Sequence, residues 1–196
     1  MAIKKTKVVD KWKLKKWYTV LAPTMFDNRE ICEVVAVEDQ SLVNRIVRIS
    51  LMELMSTSSQ TSMFTFLRFR ITGVTGNTAQ TILIGHEVSP SYIKTFARRG
   101  KTILHMVVDI RTKDDVGIRI KVVGVASGKI SETTKRNLRN TIVDEIKKAG
   151  PTFKYDELMQ EILYGKLASK IFNRLKQITS MKRFEIRKTE KFEEFK

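Results

Sequence analysis

The feature that most constrains this chain is a change in the spacing of its apolar residues near Gly128. From Val34 to Val125 they recur mostly every second residue; beyond Gly128 they recur every third or fourth. Side chains alternate between faces along a strand and share a face at 3.6-residue spacing along a helix, so no one element type serves both stretches. The expected class is α+β. A curled, barrel-like, mixed but mainly antiparallel sheet packs with C-terminal helices, and a basic extended N-terminal arm precedes it. Residues 1–17 form the arm, 18–128 the β-rich core, and 129–196 a helical region with a returning strand and a charged tail, integrated with the core. The chain has no internal repeat.

Within the first stretch, Arg45, Val47, Ile49 and Leu51 share one face of a strand, ahead of a polar loop from Ser56 to Ser62. Leu67, Phe69 and Ile71 form the inner face of the next strand, with Phe66, Arg68 and Arg70 opposite. Gly76-Asn77 supplies the positive φ of a tight hairpin turn into a strand through Thr81–Ile84. A second hairpin has Leu104, Met106, Val108 and Ile110 on one side, a turn at Asp114–Gly117, and Ile118, Ile120 and Val122 returning. Its outer face carries Arg111, Lys113, Arg119 and Lys121. Between the hairpins, Ser89-Pro90 opens a short helix, Ser as N-cap and Pro in the first turn, that ends at Arg98-Arg99-Gly100-Lys101.

In the second stretch Ser131 caps a helix with Leu138, Ile142 and Ile146 inward and Lys135 and Arg139 outside; Gly150-Pro151 ends it. A helix over about Tyr155–Tyr164 follows. The next places Leu167, Ile171, Leu175 and Ile178 on one stripe, flanked by Lys166, Lys170 and Arg174. A last strand turns Phe184 and Ile186 in, Arg183 and Arg187 out.

Charge narrows the function. Lys and Arg number 37 against 21 Asp and Glu, a net charge of +16, while 42% hydrophobic residues supply a core. A field of that size on a small body suits a polyanionic partner, nucleic acid before an anionic membrane surface. Residues 1–17 carry Lys4, Lys5, Lys7, Lys11, Lys13, Lys15 and Lys16 against Asp10 alone. Such a block repels itself and is expected to stay extended until phosphates neutralise it. Trp12 is placed to stack on a base or ribose, whereas Trp17 and Tyr18 anchor the arm to the core. The expected RNA contacts are these seven lysines with Trp12, then Arg68 and Arg70, then Arg98, Arg99 and Lys101, then Arg111, Arg119 and Lys121. Trp12 and Trp17 are five residues apart among lysines, which leaves no clean apolar face for a membrane.

Catalytic and metal-binding patterns are missing. One cysteine, Cys32, and two histidines, His86 and His105, exclude a disulfide framework and a multi-cysteine zinc site, and suit a reducing cytosol. No apolar run approaches a membrane span, and Trp17–Pro23 is too short and polar for a signal peptide's apolar region, so the expected protein is soluble and intracellular. Gly124–Ile130 resembles a phosphate loop, but it is one residue short and has Ile where Ser or Thr would bind Mg²⁺; it reads as a strand-to-helix turn. His105 and Asp109 lie about 13 Å apart on one strand face, beyond dyad reach. Asp114-Asp115 belongs to a turn, and a lone Cys is commonly a small apolar residue.

The segments VVDKWKLKKWYTVLAPTMF, LVNRIVRISLMELM, GNTAQTILIGHEV, YGKLASKIFNRLKQI and RFEIRK resemble, in order over about Val8–Lys188, the archaeal and eukaryotic small-subunit ribosomal protein S-one-e family, also called S-three-A-e. The family's signature matches at Leu42, Arg45, Ile46, Ser50, Leu51 and Leu54. It departs at Asn44 (usually Gly or His), Arg48 (usually Glu) and Glu53 (usually Asp). The resemblance implies a structural component of the small subunit, bound to its rRNA on the platform near the mRNA exit, in the cytoplasm. It implies contacts with the 3′ region of that rRNA, with neighbouring ribosomal proteins and with mRNA near the exit. No enzymatic activity, cofactor, metal, membrane or small-molecule substrate is implied. The competing reading is an RNA-processing enzyme whose active site escapes motif analysis.

Overall fold

The computed structural model describes residues 12–55 and 60–193. Lys4, Lys5, Lys7 and Lys11, the expected extension of the arm, and the start of the polar loop lie outside them. The described strands form a mixed, mostly antiparallel sheet that does not close, and helices follow it in sequence, so the α+β class holds without barrel closure. The chain divides into two compact units, residues 1–49 with 69–83, and residues 50–68 with 84–196.

In the first unit, β1 (Lys16–Leu21) lies between β2 (Glu30–Ala36), antiparallel to it, and the start of β5 (Thr78–Val88), parallel to it at Thr19↔Thr78. That parallel pairing makes the sheet mixed. Tyr18, Val20, Leu42, Ile71 and Ala79 build the core, and the Tyr18 hydroxyl donates to Asp39 at 2.5 Å. Trp17, one residue before it, faces the other way and is 62% exposed. Strand alternation therefore gives the anchoring role to Tyr18 alone.

β3 (Ile46–Ser50) pairs with β4 (Thr65–Thr75). Just before β3, Asn44 has φ +67°, and its N–H donates to the Ile71 carbonyl at 2.9 Å. Asn is among the few residues that tolerate this left-handed region, which explains how it can stand where Gly is usual. Leu51 does not continue the strand: it is buried as the first residue of helix α1 (Leu51–Met55), and α2 (Gln60–Met63) follows. The loop expected at 56–62 is thus partly helical. Leu67, Phe69 and Ile71 face inward on β4 as expected. Only Gly76 in the two-residue turn to β5 has positive φ, the pattern of a II′ hairpin.

In the second unit the strand order is the end of β5, then β8 (Met181–Lys191), β7 (Gly117–Ala126) and β6 (Ile103–Arg111). Gly85 is required where β5 meets β8, because a Cβ there would lie 2.1 Å from the Thr189 carbonyl oxygen. His86 locks the same crossing. Its Nε2 lies 3.1 Å from the Ile186 carbonyl, which can only accept, so Nε2 carries the hydrogen and Nδ1 accepts from the Thr189 hydroxyl at 2.8 Å. Burial lowers the His86 pKa to about 4, so the ring is neutral.

Pro90 opens α3 (Pro90–Lys94), but the Ser89 side chain makes no capping bond, and the helix stops four residues short of Arg98. Ser131 does cap α4 (Glu132–Ala149), accepting from the Thr134 N–H at 3.3 Å. Leu138, Ile142 and Ile146 are fully buried. α5 (Tyr155–Leu163) and α6 (Lys166–Ile178) complete the helices, α6 packing on α4 and β8. Leu167, Ile171 and Leu175 point inward, whereas Ile178 in the last turn is exposed. No strand interrupts residues 131–178.

Candidate nucleic-acid interface

The β6–β7 hairpin does place cations outward, but Arg111, Arg119 and Lys121 each meet a carboxylate. Asp109 lies directly across from Arg119. The Arg119 Nε and Nη2 groups donate to the two Asp109 oxygens at 2.7 and 2.8 Å, a bidentate pair. These bonds hold the Asp109 carboxyl below its ordinary range. Lys121 meets Glu190 at 2.8 Å, and Lys188 reaches the same carboxylate at 2.7 Å. Partial burial pushes the Glu190 carboxyl up, but the hydrogen bonds from Lys121 and Lys188 outweigh it and hold the group at about 2. Arg111 pairs with Asp115 at 3.0 Å, both well exposed.

The basic stripe of α6 is likewise engaged within the protein. Lys166 pairs with Glu161 at 3.1 Å, while Arg174 and Lys170 approach the buried Glu145 at 3.8 and 4.0 Å. Arg68 and Arg70 are half-buried on β4, with Nε atoms withdrawn from solvent.

A different arrangement occurs where the loop after α3 meets the start of β8. The loop's far end is pinned by Thr102, whose N–H donates to the Gly128 carbonyl at 3.1 Å and whose carbonyl accepts from Ala126 at 2.9 Å. On β8 the pairing with β7 slips: Ala126 is opposite Met181, but Val125 is opposite Arg183. Lys182 is the extra residue of a β-bulge, which re-aims side chains locally. In consequence the consecutive residues Lys182 and Arg183 both line one cavity of about 370 Å³, together with Arg98, Lys101 and Phe96. No carboxylate lines it. The Arg183 guanidinium lies over the Phe96 and Tyr92 rings at 4.7 and 5.5 Å, a cation–π seat. The side-chain hydrogen bond to Lys182, then burial, then repulsion from Lys182 and Arg98, lower the Lys101 pKa. Arg99 is exposed beside this group without lining the cavity.

Sequence reasoning put Arg98, Arg99 and Lys101 on one loop but left Lys182 and Arg183 out. The available signal was the Lys182-Arg183 dipeptide itself. Its place beside Arg98, more than 80 residues away, depends on β8 pairing with β7. In the first unit, Trp12 is 67% exposed, with the Lys15 ammonium 3.7 Å from its ring centroid, and Lys13 and Lys16 are exposed.

The residues considered for catalysis are otherwise occupied. Asp109 is bound by Arg119, away from any dyad with His105, and both ring nitrogens of His86 have partners. Asp114 accepts from the Tyr155 N–H at 3.4 Å, and burial pushes the Cys32 thiol up, opposite to nucleophile activation. Among the described residues no three His, Cys, Asp or Glu side chains are grouped to hold a metal ion, and no helix is long and apolar enough to cross a membrane. Gly124 and Val125 close β7, and Gly128 lies in the turn to α4, with no phosphate loop formed.

Residues 3–194 match the model of the Ribosomal S3Ae family. The chain is 32% identical over 185 residues to the small ribosomal subunit protein eS1 of Sulfurisphaera tokodaii, covering 94% of this chain and 95% of that one. It is 32% identical over 181 residues to the protein of that name in Thermoplasma volcanium, covering 92% of this chain and 83% of the other. The corresponding protein of Methanobrevibacter smithii is 31% identical over 183 residues, 93% of this chain and 94% of its own.

Proposed function

This chain belongs to the ribosomal S3Ae family, and on that premise we propose that it is a non-enzymatic, structural constituent of the small ribosomal subunit that binds the subunit's rRNA by phosphate neutralisation. Its position is on the platform near the mRNA exit, beside other small-subunit proteins and the 3′ region of the rRNA, in the cytoplasm. The observation that carries the reading is the family match over residues 3–194. The net charge of +16 and a cationic corner without carboxylates are what such a role requires. Lysine is a point charge without arginine's planar fork, so the Lys-rich arm holds phosphates with little base preference.

Cosedimentation tests the assignment. The native protein is expected to travel with small subunits and to stay there in moderate salt; release at that salt overturns the proposal. Binding to a small-subunit rRNA transcript across a salt series measures the arm's share. With five of its seven lysines engaged, deletion of residues 2–16 flattens the log–log slope by about four units. Trp12→Ala leaves that slope unchanged and costs about 1–3 kcal/mol where the ring stacks on a base.

A further inference from the structure

We infer that the cavity bounded by Arg98, Lys101, Lys182 and Arg183 seats a single phosphodiester of the RNA backbone, recognised by charge and not by base identity. The inference rests on the rRNA-binding reading above and assigns a particular contact to it.

Three observations converge. The first is charge: four cations line about 370 Å³, and no carboxylate does. Glu185, two residues along β8, lines the neighbouring cavity beside His86, which Lys182 and Arg183 also border, and its carboxyl interacts with Arg183. Like charges gathered in a cavity that no carboxylate lines cost folding stability, and such local conflicts are expected at functional sites. The second is the bulge. In a regular strand Lys182 and Arg183 would point to opposite faces; the extra residue brings both to one cavity. The third is the aromatic wall. Phe96 and Tyr92 are 7% and 8% exposed, and their faces are taken by the Arg183 guanidinium and by each other, with Phe64 stacked on Tyr92 at 4.6 Å. The rings therefore hold Arg183 in place and offer no platform to a base. What fits is a compact anion between Lys101 and Lys182, with Arg183 as the fixed donor and Arg98 at the loop side. The lowered Lys101 pKa agrees: beside the hydrogen bond to Lys182 and burial, repulsion from Lys182 and Arg98 contributes to it, and an anion placed there would relieve that repulsion.

Lysine acetylation footprinting of the full, unmutated chain tests this directly. A small-subunit rRNA transcript is expected to protect Lys101 and Lys182 from acetylation, while inorganic phosphate at the same phosphate concentration does not. The double variant Lys101→Gln, Lys182→Gln is expected to bind the transcript about tenfold more weakly, the loss of one charge-assisted contact. The charge-matched variant Arg136→Gln, Arg139→Gln on α4 is expected to lose less. If the transcript binds with normal salt dependence but leaves Lys101 and Lys182 unprotected, this inference falls while the rRNA-binding reading stands. Equal protection by inorganic phosphate overturns the assignment to RNA backbone. A chain that does not bind the transcript at all removes the functional reading and the inference with it.

Discussion

Two regions of the second unit share strand β8 and treat positive charge in opposite ways. Along the middle and end of the strand, Lys188 and Glu190 join Lys121, Arg119 and Asp109 in a ladder where each cation faces a carboxylate. At its start, Lys182 and Arg183 meet Arg98 and Lys101 with no carboxylate among them. The ladder's charge is spent inside the protein, and its exposed pairs contribute little to stability. At the corner Arg183 has Glu185 near it, while Arg98, Lys101 and Lys182 line a cavity without a carboxylate and are available to a partner. A count of basic residues treats the two as equal; the positions of the acids separate them.

The largest expected effect tests what both regions depend on, the seating of β8 by His86. Its folded pKa of about 4 lies below the unfolded value of 6.5, so the unfolded chain binds the proton first as pH falls. The stability is fully present above pH 6.5 and is lost between 6.5 and 4, by about 3 kcal/mol at the acid end. Glu190, held at about 2 against an ordinary 4.5, loses its own contribution as pH falls from 4.5 through 2, so the ladder enters only at the acid edge of that window. Urea midpoints measured against pH should therefore fall from 6.5 to about 5 equally in the unmutated chain and in Glu190→Gln. If Glu190→Gln removed the fall, the acid sensitivity would belong to the ladder.

A second, intermediate effect converts one region into the other. Asp109→Asn with Glu190→Gln releases Arg119 and Lys121 from their partners. Affinity for a small-subunit rRNA transcript should rise about tenfold at low salt, and the slope of log K against log salt should steepen by roughly 1.5 units. Unchanged binding would mean that the β6–β7 face points away from RNA and that pairing is not what silences it.

The smallest effect is one of sign. Arg111→Gln breaks an exposed pair and should cost about 0.5 kcal/mol or less. Lys182→Gln removes a like-charge neighbour of Lys101 and should leave the urea midpoint unchanged or slightly higher. A midpoint lowered by Lys182→Gln would mean that Lys182 stabilises the corner and does not strain it.

Some of this was legible from residue order alone. The alternation of Leu67, Phe69 and Ile71, the Gly76-Asn77 turn, the Ser131 cap and the stripe Leu138, Ile142 and Ile146 each depend on neighbours within a few residues, and each appears as expected. The misreadings have local causes as well. Leu51 continues the alternation of Val47 and Ile49, yet a short helix takes it, because Leu51 and Leu54, three residues apart, share one buried face only in a helix. Ile178 keeps the stripe's spacing but is exposed as the last residue of α6. Ser89 stands in the position of a cap without forming its bond.

Residue order by itself determined the switch from strand to helix, the cationic excess and the family, because period, composition and motif are properties of the chain read in one dimension. Which cations remain open was decided only by the tertiary structure. Asp109 faces Arg119 because of a hairpin register, Lys121 meets Glu190 because β8 returns beside β7, and Lys182 joins Lys101 because one extra residue bulges at that return. A charge is neutralised by whatever lies within a few ångströms of it, and across a sheet those neighbours can be more than 60 residues away in sequence.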